Sequence, residues 1–588
     1  MKRRSFFSSL VAGVIVLLSI GIGGYFWLTS QSPLTLLQGG SQTTPAAAIF
    51  VSKQSPVMVS MLVNPDRLES LRQLVTRPGE RRRSRQELNQ LKSSLLANTG
   101  LDYRRDIQPW LGEEITLAVT TADIDRDESN GRQPGYIMVV ATKEPAKSRE
   151  FLELLFSKRA IAGRELASEQ YKGVNLFYDS DRLLTPYRRD LSRLSSPPKD
   201  AIDRVSTHPS LTGAVVGDRF VVFANHPKVL REAINNVQAP DLSLINWSQY
   251  QQALNLLPSR RVGIAFLNLP SVATWLGKQP ESQTYTSQII GLELNRQGLL
   301  AQTSFIAAPD REIAASEANV SQPVKALQYI PQTAGLTISG VDLGGLQNTN
   351  LNQLWQQLTA LLSGSGNDAI SRLIKQPLAA LQDRWGIDLS QDIFSWVQGE
   401  YALAMLPRAN ADWIFVAEKS DAATPAITNL DAIAQDRGLS ITPLSTENQK
   451  VYAWTRLITS PTQESNSDSA LLTLKAKVEG VHTTVGNYEI FTSSVEAMDA
   501  ALKAAKNGTV LDSPQFKPSI NAIPQPNQGY LYLDWQTSRE VLERQLPVLK
   551  LLEVAGKPFF NNLRSLTISS YGSEAQALKG GVFFRLNS

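Results

Sequence analysis

Two stretches of the sequence decide the fold: LDYRRDIQPWL at residues 101–111 and IDLSQDIFSWV at residues 387–397. They are related by an offset of 286 residues, and five residue pairs are identical in that register: Asp102 with Asp388, Asp106 with Asp392, Ile107 with Ile393, Trp110 with Trp396, and Glu114 with Glu400. Agreement of this kind in one register indicates an internal duplication, which has to be recognised before local motifs are interpreted.

Neighbouring segments repeat in the same order along the chain. The matched pairs are YIMVV at 136–140 with WIFVA at 413–417, VGD at 216–218 with VGN at 485–487, and FLNL at 266–269 with LYLD at 531–534. The chain is therefore predicted to contain an N-terminal unit at 46–310 and a C-terminal unit at 323–588, joined by a small, polar linker at 311–322.

Each unit shows the same predicted order of elements. A strand, at 57–63 or 336–341, precedes a helical stretch, at 68–96 or 351–381, and a strand hairpin follows the Asp-x-x-x-Asp-Ile-x-x-Trp motif. Strand pairs that alternate with single helices favour an α+β fold with largely antiparallel sheets. The predicted fold class is thus two tandem homologous α+β units with largely antiparallel sheets and packed helices.

The N-terminus carries a pattern typical of a membrane anchor. Residues 2–4 are basic, and residues 10–28 are 19 apolar or small uncharged residues that would span ~29 Å as a helix. Aromatic residues close the stretch, which favours an uncleaved anchor over a cleaved signal peptide. We predict a cytoplasmic stub at 1–9, one N-terminal transmembrane helix at 10–28, a tether at 29–45 and an extracytoplasmic body.

Composition excludes several kinds of chemistry. The 588 residues include no cysteine and only three histidines, so disulfides, thiol catalysis, iron–sulfur clusters and cysteine-type zinc sites are ruled out. The formal net charge is +4, from 58 basic and 54 acidic residues, which does not single out nucleic acid as a partner. We predict no cofactor and no nucleic-acid binding.

Individual motifs do not assemble into a predicted catalytic or metal site. Asp102 and Asp106 could act as an acid–base pair, but capping of a short helix with Trp110 on its buried face explains them better. The acidic loop at 123–131 lacks the glycine and the closing glutamate of a calcium loop. His226 precedes a helix and is predicted to cap it, with its counterpart at Ser493 or Ser494. His208 and His482 are also predicted to be structural.

One segment has a strong charge bias. Its basic residues are Arg77, Arg81, Arg82, Arg83, Arg85 and Lys92. The segment could be the solvated face of a helix, or it could bind anionic lipid headgroups or an acidic protein partner.

The duplicated motif with its following hairpin resembles a domain-of-unknown-function family found mainly in cyanobacteria, whose members have a single anchor and a duplicated extracytoplasmic body. The resemblance implies a photosynthetic bacterial source and a body in the periplasm or thylakoid lumen. It implies no activity.

Three functions remain open at this point. The first is a membrane-tethered, non-enzymatic interaction or assembly scaffold, which rests on the anchor and the duplication. The second is a carrier of lipid or another hydrophobic ligand, which would require a large apolar cavity. A hydrolase is the third and would require clustered catalytic groups in a cleft.

Overall fold

The structure of the protein is a computed structural model. The structure describes residues 44–64, 101–126, 132–180, 211–259, 261–277, 284–294, 297–308, 311, 313, 318–343, 392–407, 412–461, 472–545, 560, 562–574 and 576–586. The helices predicted at 68–96 and 351–381 lie outside these residues.

The first half of the described chain contains ten strands and four α-helices. The strands are β1 Val57–Met61, β2 Leu111–Thr121, β3 Gly135–Thr142, β4 Leu166–Tyr171, β5 Val174–Asp179, β6 Thr212–Val216, β7 Phe220–Ala224, β8 Gly263–Asn268, β9 Tyr285–Leu294 and β10 Gly298–Ala307. The helices are α1 Pro145–Ile161, α2 Pro227–Gln238, α3 Ser248–Asn255 and α4 Leu269–Trp275. A 3-10 helix, Ala46–Phe50, and a π-helical turn, Tyr103–Ile107, precede them.

The second half repeats this order among its described residues. Its strands are β11 Leu336–Val341, β12 Glu400–Leu406, β13 Asp412–Glu418, β14 Ser440–Thr446, β15 Gln449–Pro461, β16 Leu472–Val485, β17 Tyr488–Thr492, β18 Tyr530–Asp534, β19 Leu563–Glu574 and β20 Ala577–Leu586. Its helices are α5 Ala423–Asp436, α6 Val495–Asn507, α7 Phe516–Asn521 and α8 Trp535–Gln545. The 3-10 helix Lys325–Tyr329 corresponds to Ala46–Phe50.

Hydrogen bonds join all twenty strands into one antiparallel sheet, and the predicted fold class is wrong in this respect. β10 pairs with β9 and also with β20. The chain still divides into two compact units, and β10 is shared between them: Gln297–Gln302 belongs to the C-terminal unit and Thr303–Arg311 to the N-terminal unit. Similarity between repeats shows which segments recur along the chain, and it gives no information about which strands pair.

The predicted transmembrane helix and the localisation that depends on it also need correction. None of the helices in the described residues is both long and apolar enough to cross a membrane. The longest of them, α1, has 17 residues and carries charged side chains such as Lys147 and Arg149. Residues 10–28 themselves lie outside the described part of the chain. The helices that are described therefore give no support to a single-pass topology with an extracytoplasmic body.

Strand registers show the duplication directly. Val57 pairs with Val119 on β2, and Leu336 pairs with Met405 on β12. Val119 and Met405 are 286 residues apart, which is the offset of the duplicated motif. The same two residues pair on their other side with Leu267 and Leu533. Leu267 therefore corresponds to Leu533, and the sequence match of 266–269 with 531–534 is wrong by one residue.

A glutamate, buried in the first half and half-buried in the second, fixes the first helical turn of each half in the same way. Glu114 accepts hydrogen bonds from the backbone N–H groups of Ala46 (3.0 Å) and Ala47 (2.9 Å). Glu400 accepts from the N–H groups of Lys325 (2.7 Å) and Ala326 (3.3 Å). Burial raises the pKa of Glu114, although these hydrogen bonds oppose the shift. The repeated glutamate is thus explained by capping rather than by catalysis.

Candidate functional site: a ribbon and the histidine cluster at its root

The C-terminal unit contains a two-stranded ribbon that extends beyond its neighbours in the sheet. We define the ribbon as residues 455–461 of β15 and 472–478 of β16, which pair from Thr455 with Val478 to Pro461 with Leu472. β14 pairs with β15 only as far as Thr455, and β17 pairs with β16 only from Val481 to Val485. Among the described strands, no third strand pairs with residues 456–461.

The two faces of the ribbon differ in chemistry. Residues that pair directly in an antiparallel sheet lie on the same face, and successive residues alternate between faces. Arg456 pairs with Lys477 and Ile458 with Lys475, which defines a basic face. Leu457 pairs with Ala476, and Leu474 follows on the same side, which defines an apolar face. Leu457 and Leu474 are each 69% exposed.

The apolar face continues a row of core residues. Val451 and Ala453 lie on the same side of β15 as Leu457, and both are fully buried in the core of the C-terminal unit. The apolar side of β15 therefore continues for several residues beyond the last residue that packs in the core. A β-bulge marks this transition, because the register shifts between Trp454 and Thr455. Bulges bend the strand that carries them, increase its twist and are common at the edges of sheets.

His482 lies beside the root of the ribbon in a cluster of aromatic rings. Its imidazole stacks on Tyr452 (5.5 Å between centroids, 21° between planes) and on Phe491 (5.8 Å, 21°). The indole of Trp454 packs against it at 5.4 Å. We call these four residues with Asp431 the histidine cluster.

Asp431 on α5 ties the helix to both strands of the root. Its Oδ1 accepts a hydrogen bond from Trp454 Nε1 (2.8 Å) and lies 3.1 Å from His482 Nε2. Burial disfavours the charged carboxylate, but the hydrogen bonds with His482 and Trp454 outweigh it and lower the pKa of Asp431. Asp431 is therefore held as a carboxylate that orients the imidazole and the indole.

The geometry of the cluster favours positioning over proton transfer. An aspartate–histidine pair can serve acid–base catalysis only when the imidazole reaches a substrate. The His482 side chain is 6% exposed, and aromatic rings cover both of its faces. The cluster thus holds helix α5 and strands β15 and β16 together where the ribbon leaves the sheet.

The duplicated Asp–Trp motif is a packing device in the described residues. Asp102 accepts a hydrogen bond from the Arg105 N–H (2.9 Å), which caps the turn, and Trp110 Nε1 donates to the Asp106 carbonyl (2.8 Å). Arg105 forms a salt bridge with the Asp106 carboxylate and lowers its pKa. In the second copy, Trp396 Nε1 donates to the Asp392 carbonyl at 3.0 Å. Asp388 lies outside the described residues.

The predicted helix cap is confirmed. His226 Nδ1 accepts a hydrogen bond from the Lys228 N–H (3.1 Å) at the start of α2, and Ser494 Oγ accepts one from the Ala497 N–H (3.1 Å) at the start of α6. His208 lies outside the described residues, as does the predicted basic surface at Arg77, Arg81, Arg82, Arg83 and Arg85.

The acidic and histidine side chains that the structure describes include no group of three or more that could hold a metal ion. The acidic loop at 123–131 is described only to Arg126, and there Asp123 Oδ1 accepts a hydrogen bond from the Gln133 N–H (3.0 Å).

Sequence reasoning missed the ribbon and its root. The segments 449–461 and 472–485 have the alternation of strands, but only their pairing shows that the core ends halfway along them. Asp431 and His482 are 51 residues apart, so no local spacing connects them. A usable signal was the duplication itself, because a histidine present in one copy alone is not required by the shared fold.

Comparison with known proteins gives a family but no activity. No curated protein matches the chain. The solved structure titled "Structure of crystal form I of TP0453" is similar to 46% of this chain over 81% of its own length, with 9% identity and a TM-score of 0.24, too low to support a structural argument. A family model described as "Protein of unknown function (DUF3352)" matches residues 10–586. The chain therefore belongs to the DUF3352 family.

Proposed function

We propose that this protein is a non-enzymatic interaction protein that assembles with a macromolecular partner through the ribbon. One observation carries the proposal. The described residues include six large hydrophobic side chains that are exposed, and three of them, Leu457, Ile458 and Leu474, lie on the ribbon. Isolated exposed leucines are ordinary, but a cluster on one projecting element is typical of an interaction site.

The exposure of this surface has an energetic cost in the free protein. Leaving a leucine in water rather than in an apolar contact costs roughly 1.5–3 kcal/mol. Leu457 and Leu474 are diagonal neighbours on one face, so a single partner can cover both. Binding would therefore recover hydrophobic free energy that folding leaves unused.

Site-specific photo-crosslinking tests the proposal. A photoreactive amino acid is placed at 457 in the full-length protein, and the protein is irradiated in an extract of its source cells. We expect one dominant crosslinked species, because a specific partner covers this position.

The matched control is the same amino acid at 161. Ile161 is 86% exposed and lies at the end of α1, so random collisions would label it more readily than position 457. Equal labelling at both positions, or none at 457, would contradict the proposal.

Two further points remain proposals. The cyanobacterial source rests on the resemblance carried by residues 101–111. The basic residues Arg77, Arg81, Arg82, Arg83 and Arg85 remain a candidate surface for a protein partner or anionic headgroups.

A further inference from the structure

The ribbon has features that define the chemistry of its partner. We infer that its open edge binds an extended strand in which acidic and apolar residues alternate. This inference rests on the proposed function and specifies the partner.

The first step concerns backbone hydrogen bonding. β14 ends its pairing at Thr455, and within the described residues no strand follows it along 456–461. In a β-strand every second residue directs its N–H and C=O to the same edge. An extended peptide added there would satisfy these groups, as in other proteins that recognise a peptide by adding a strand to a sheet.

The second step concerns charge. Arg456, Lys475 and Lys477 lie on one face of the ribbon. Lys477 forms a salt bridge with Glu479 (2.8 Å). Among the described residues, the positive charges of this face that have no acidic partner are therefore those of Arg456 and Lys475. A strand added to β15 would place alternate side chains beside Arg456, and an acidic side chain there would form a cross-strand ion pair. Lys475, one strand further away on β16, would add to the attraction.

The third step concerns the other face. The side chains between the acidic positions would lie beside Leu457 on β15, and Leu474 lies one strand further away on β16. An apolar side chain beside Leu457 would remove this leucine from water. The two faces together therefore select an alternating pattern rather than a simply acidic or simply apolar segment.

The same geometry disfavours two other occupants. A second copy of the ribbon would place Arg456 and Lys475 beside like charges, and basic residues on an edge strand normally prevent such pairing. A lipid bilayer is planar, whereas Leu457 and Leu474 lie on the face opposite Arg456 and Lys475, so one membrane surface cannot meet both pairs.

The experiment measures binding of synthetic octapeptides to the full-length protein by fluorescence anisotropy. The probe peptide alternates glutamate and valine. A second peptide has the same composition arranged in two blocks, and a third replaces each glutamate with lysine. We expect the alternating acidic peptide to bind at least about tenfold more tightly than either control, with affinity that falls as salt rises.

Variants of the protein locate the site. The double variant Arg456→Glu with Lys475→Glu should lose at least about tenfold in affinity for the alternating peptide, because repulsion replaces attraction. Lys147→Glu, which changes an exposed lysine on α1, should bind like the unmodified protein. Thermal unfolding of each variant checks that the fold is retained.

Three results with the peptides would overturn the inference. They are equal binding of the alternating and block peptides, no binding of either peptide, and unchanged binding of the alternating peptide by the double variant. Ribbon-dependent binding to vesicles of phosphatidylserine and phosphatidylcholine in place of the peptide, or ribbon-dependent self-association, would also overturn it. If crosslinking at 457 succeeds while the peptide fails, only the partner's chemistry is wrong. If the peptide binds but crosslinking at 457 yields no partner, the result contradicts the proposed interaction function.

Discussion

Gly213 and His482 occupy the same position in the two halves of the molecule. Gly213 pairs with Phe177 on one side and Phe223 on the other. His482 pairs with Tyr452 and Phe491, the residues that correspond to them. Two independent strand registers therefore place a glycine in one copy where the other has a histidine.

The glycine makes room for an apolar helix. A Cβ at Gly213 would lie 2.9 Å from Leu152 Cδ1 and 3.0 Å from Phe156 Cε2, so α1 packs directly on the strand at this point. An ion pair between Arg159 of α1 and Asp179 of β5 lies beside this contact.

In the C-terminal unit the helix contact is polar. Asp431 of α5 binds His482 and also Trp454, which stands where Asp179 stands in the other half. The shared fold can thus be held without a histidine at this position. The histidine cluster is an addition, and it lies where β15 and β16 continue into the ribbon. Of the two copies, the C-terminal one thus carries a polar device that fixes the root of the ribbon.

The largest effect is expected from Phe156→Ala in the apolar contact. Phe156 is 2% exposed, and removal of its ring should lower the free energy of unfolding by about 3–5 kcal/mol because a cavity remains over Gly213. Denaturant unfolding of the full-length protein measures this. Leu154→Ala on the exposed side of the same helix should cost far less, and an equal loss in both variants would contradict the packing described.

A smaller loss is expected from Asp431→Ala in the polar contact. The indole N–H of Trp454, a residue 2% exposed, would lose its acceptor, at a cost of about 1–3 kcal/mol. Trp454 fluorescence should change together with stability. Asp436→Ala, at the exposed end of α5, is the control, and a loss there as large as for Asp431→Ala would argue against the histidine cluster.

The two helix caps should each contribute about 1 kcal/mol. His226→Ala and Ser494→Ala each leave one backbone N–H without its side-chain acceptor. Only the histidine cap should weaken in acid, because a protonated imidazole cannot accept the hydrogen bond from Lys228. Unfolding of the two variants at neutral and acidic pH distinguishes them, and an identical pH dependence would contradict the assignment of Nδ1 as acceptor.

Asp431 should also make stability depend on pH. Its pKa is lowered in the folded protein, so its stabilising contribution is complete above the ordinary value and is lost as pH falls through the lowered one. The difference in unfolding free energy between the unmodified protein and Asp431→Asn should therefore shrink from about pH 7 to about pH 3. A difference that grows on acidification would reverse the sign and contradict the proposed hydrogen bonds.

The smallest effect is expected on the ribbon. Leu457→Ser should change the free energy of unfolding by no more than ~0.5 kcal/mol, because the side chain has no core contact to lose. Val451→Ser, on the same face of the same strand but fully buried, should be strongly destabilising. Equal effects at both positions would show that the ribbon is part of the core.

Much of the local structure could be predicted from the sequence. The hairpin of β2 and β3, the strand at β11 and the caps at His226 and Ser494 follow from alternation and from capping chemistry, which act over a few residues. The match of 266–269 was wrong by one residue because apolar runs look alike in neighbouring registers. Its true register is set by capping: Asn268 accepts from the Ser271 N–H and Asp534 from the Thr537 N–H.

The remaining features depend on contacts between distant segments. The pairing of β10 with β20 and the bond between Asp431 and His482 have no local pattern. The exposure of Leu457 is equally hidden, because the residue continues the same alternation as buried Val451 and Ala453. The sequence pattern shows which face of a strand is apolar. Where the core ends along that strand depends on which other elements pack on the apolar face.

Amide hydrogen exchange along β15 tests the central claim most directly. The full-length protein is compared alone and with the alternating glutamate–valine peptide. The outward-facing amides of residues 456–458 should exchange rapidly in the free protein and at least about tenfold more slowly with peptide, while those of β17 stay unchanged. Unchanged exchange at 456–458, or slowing only at sites away from the ribbon, would contradict the claim that this edge is the binding surface.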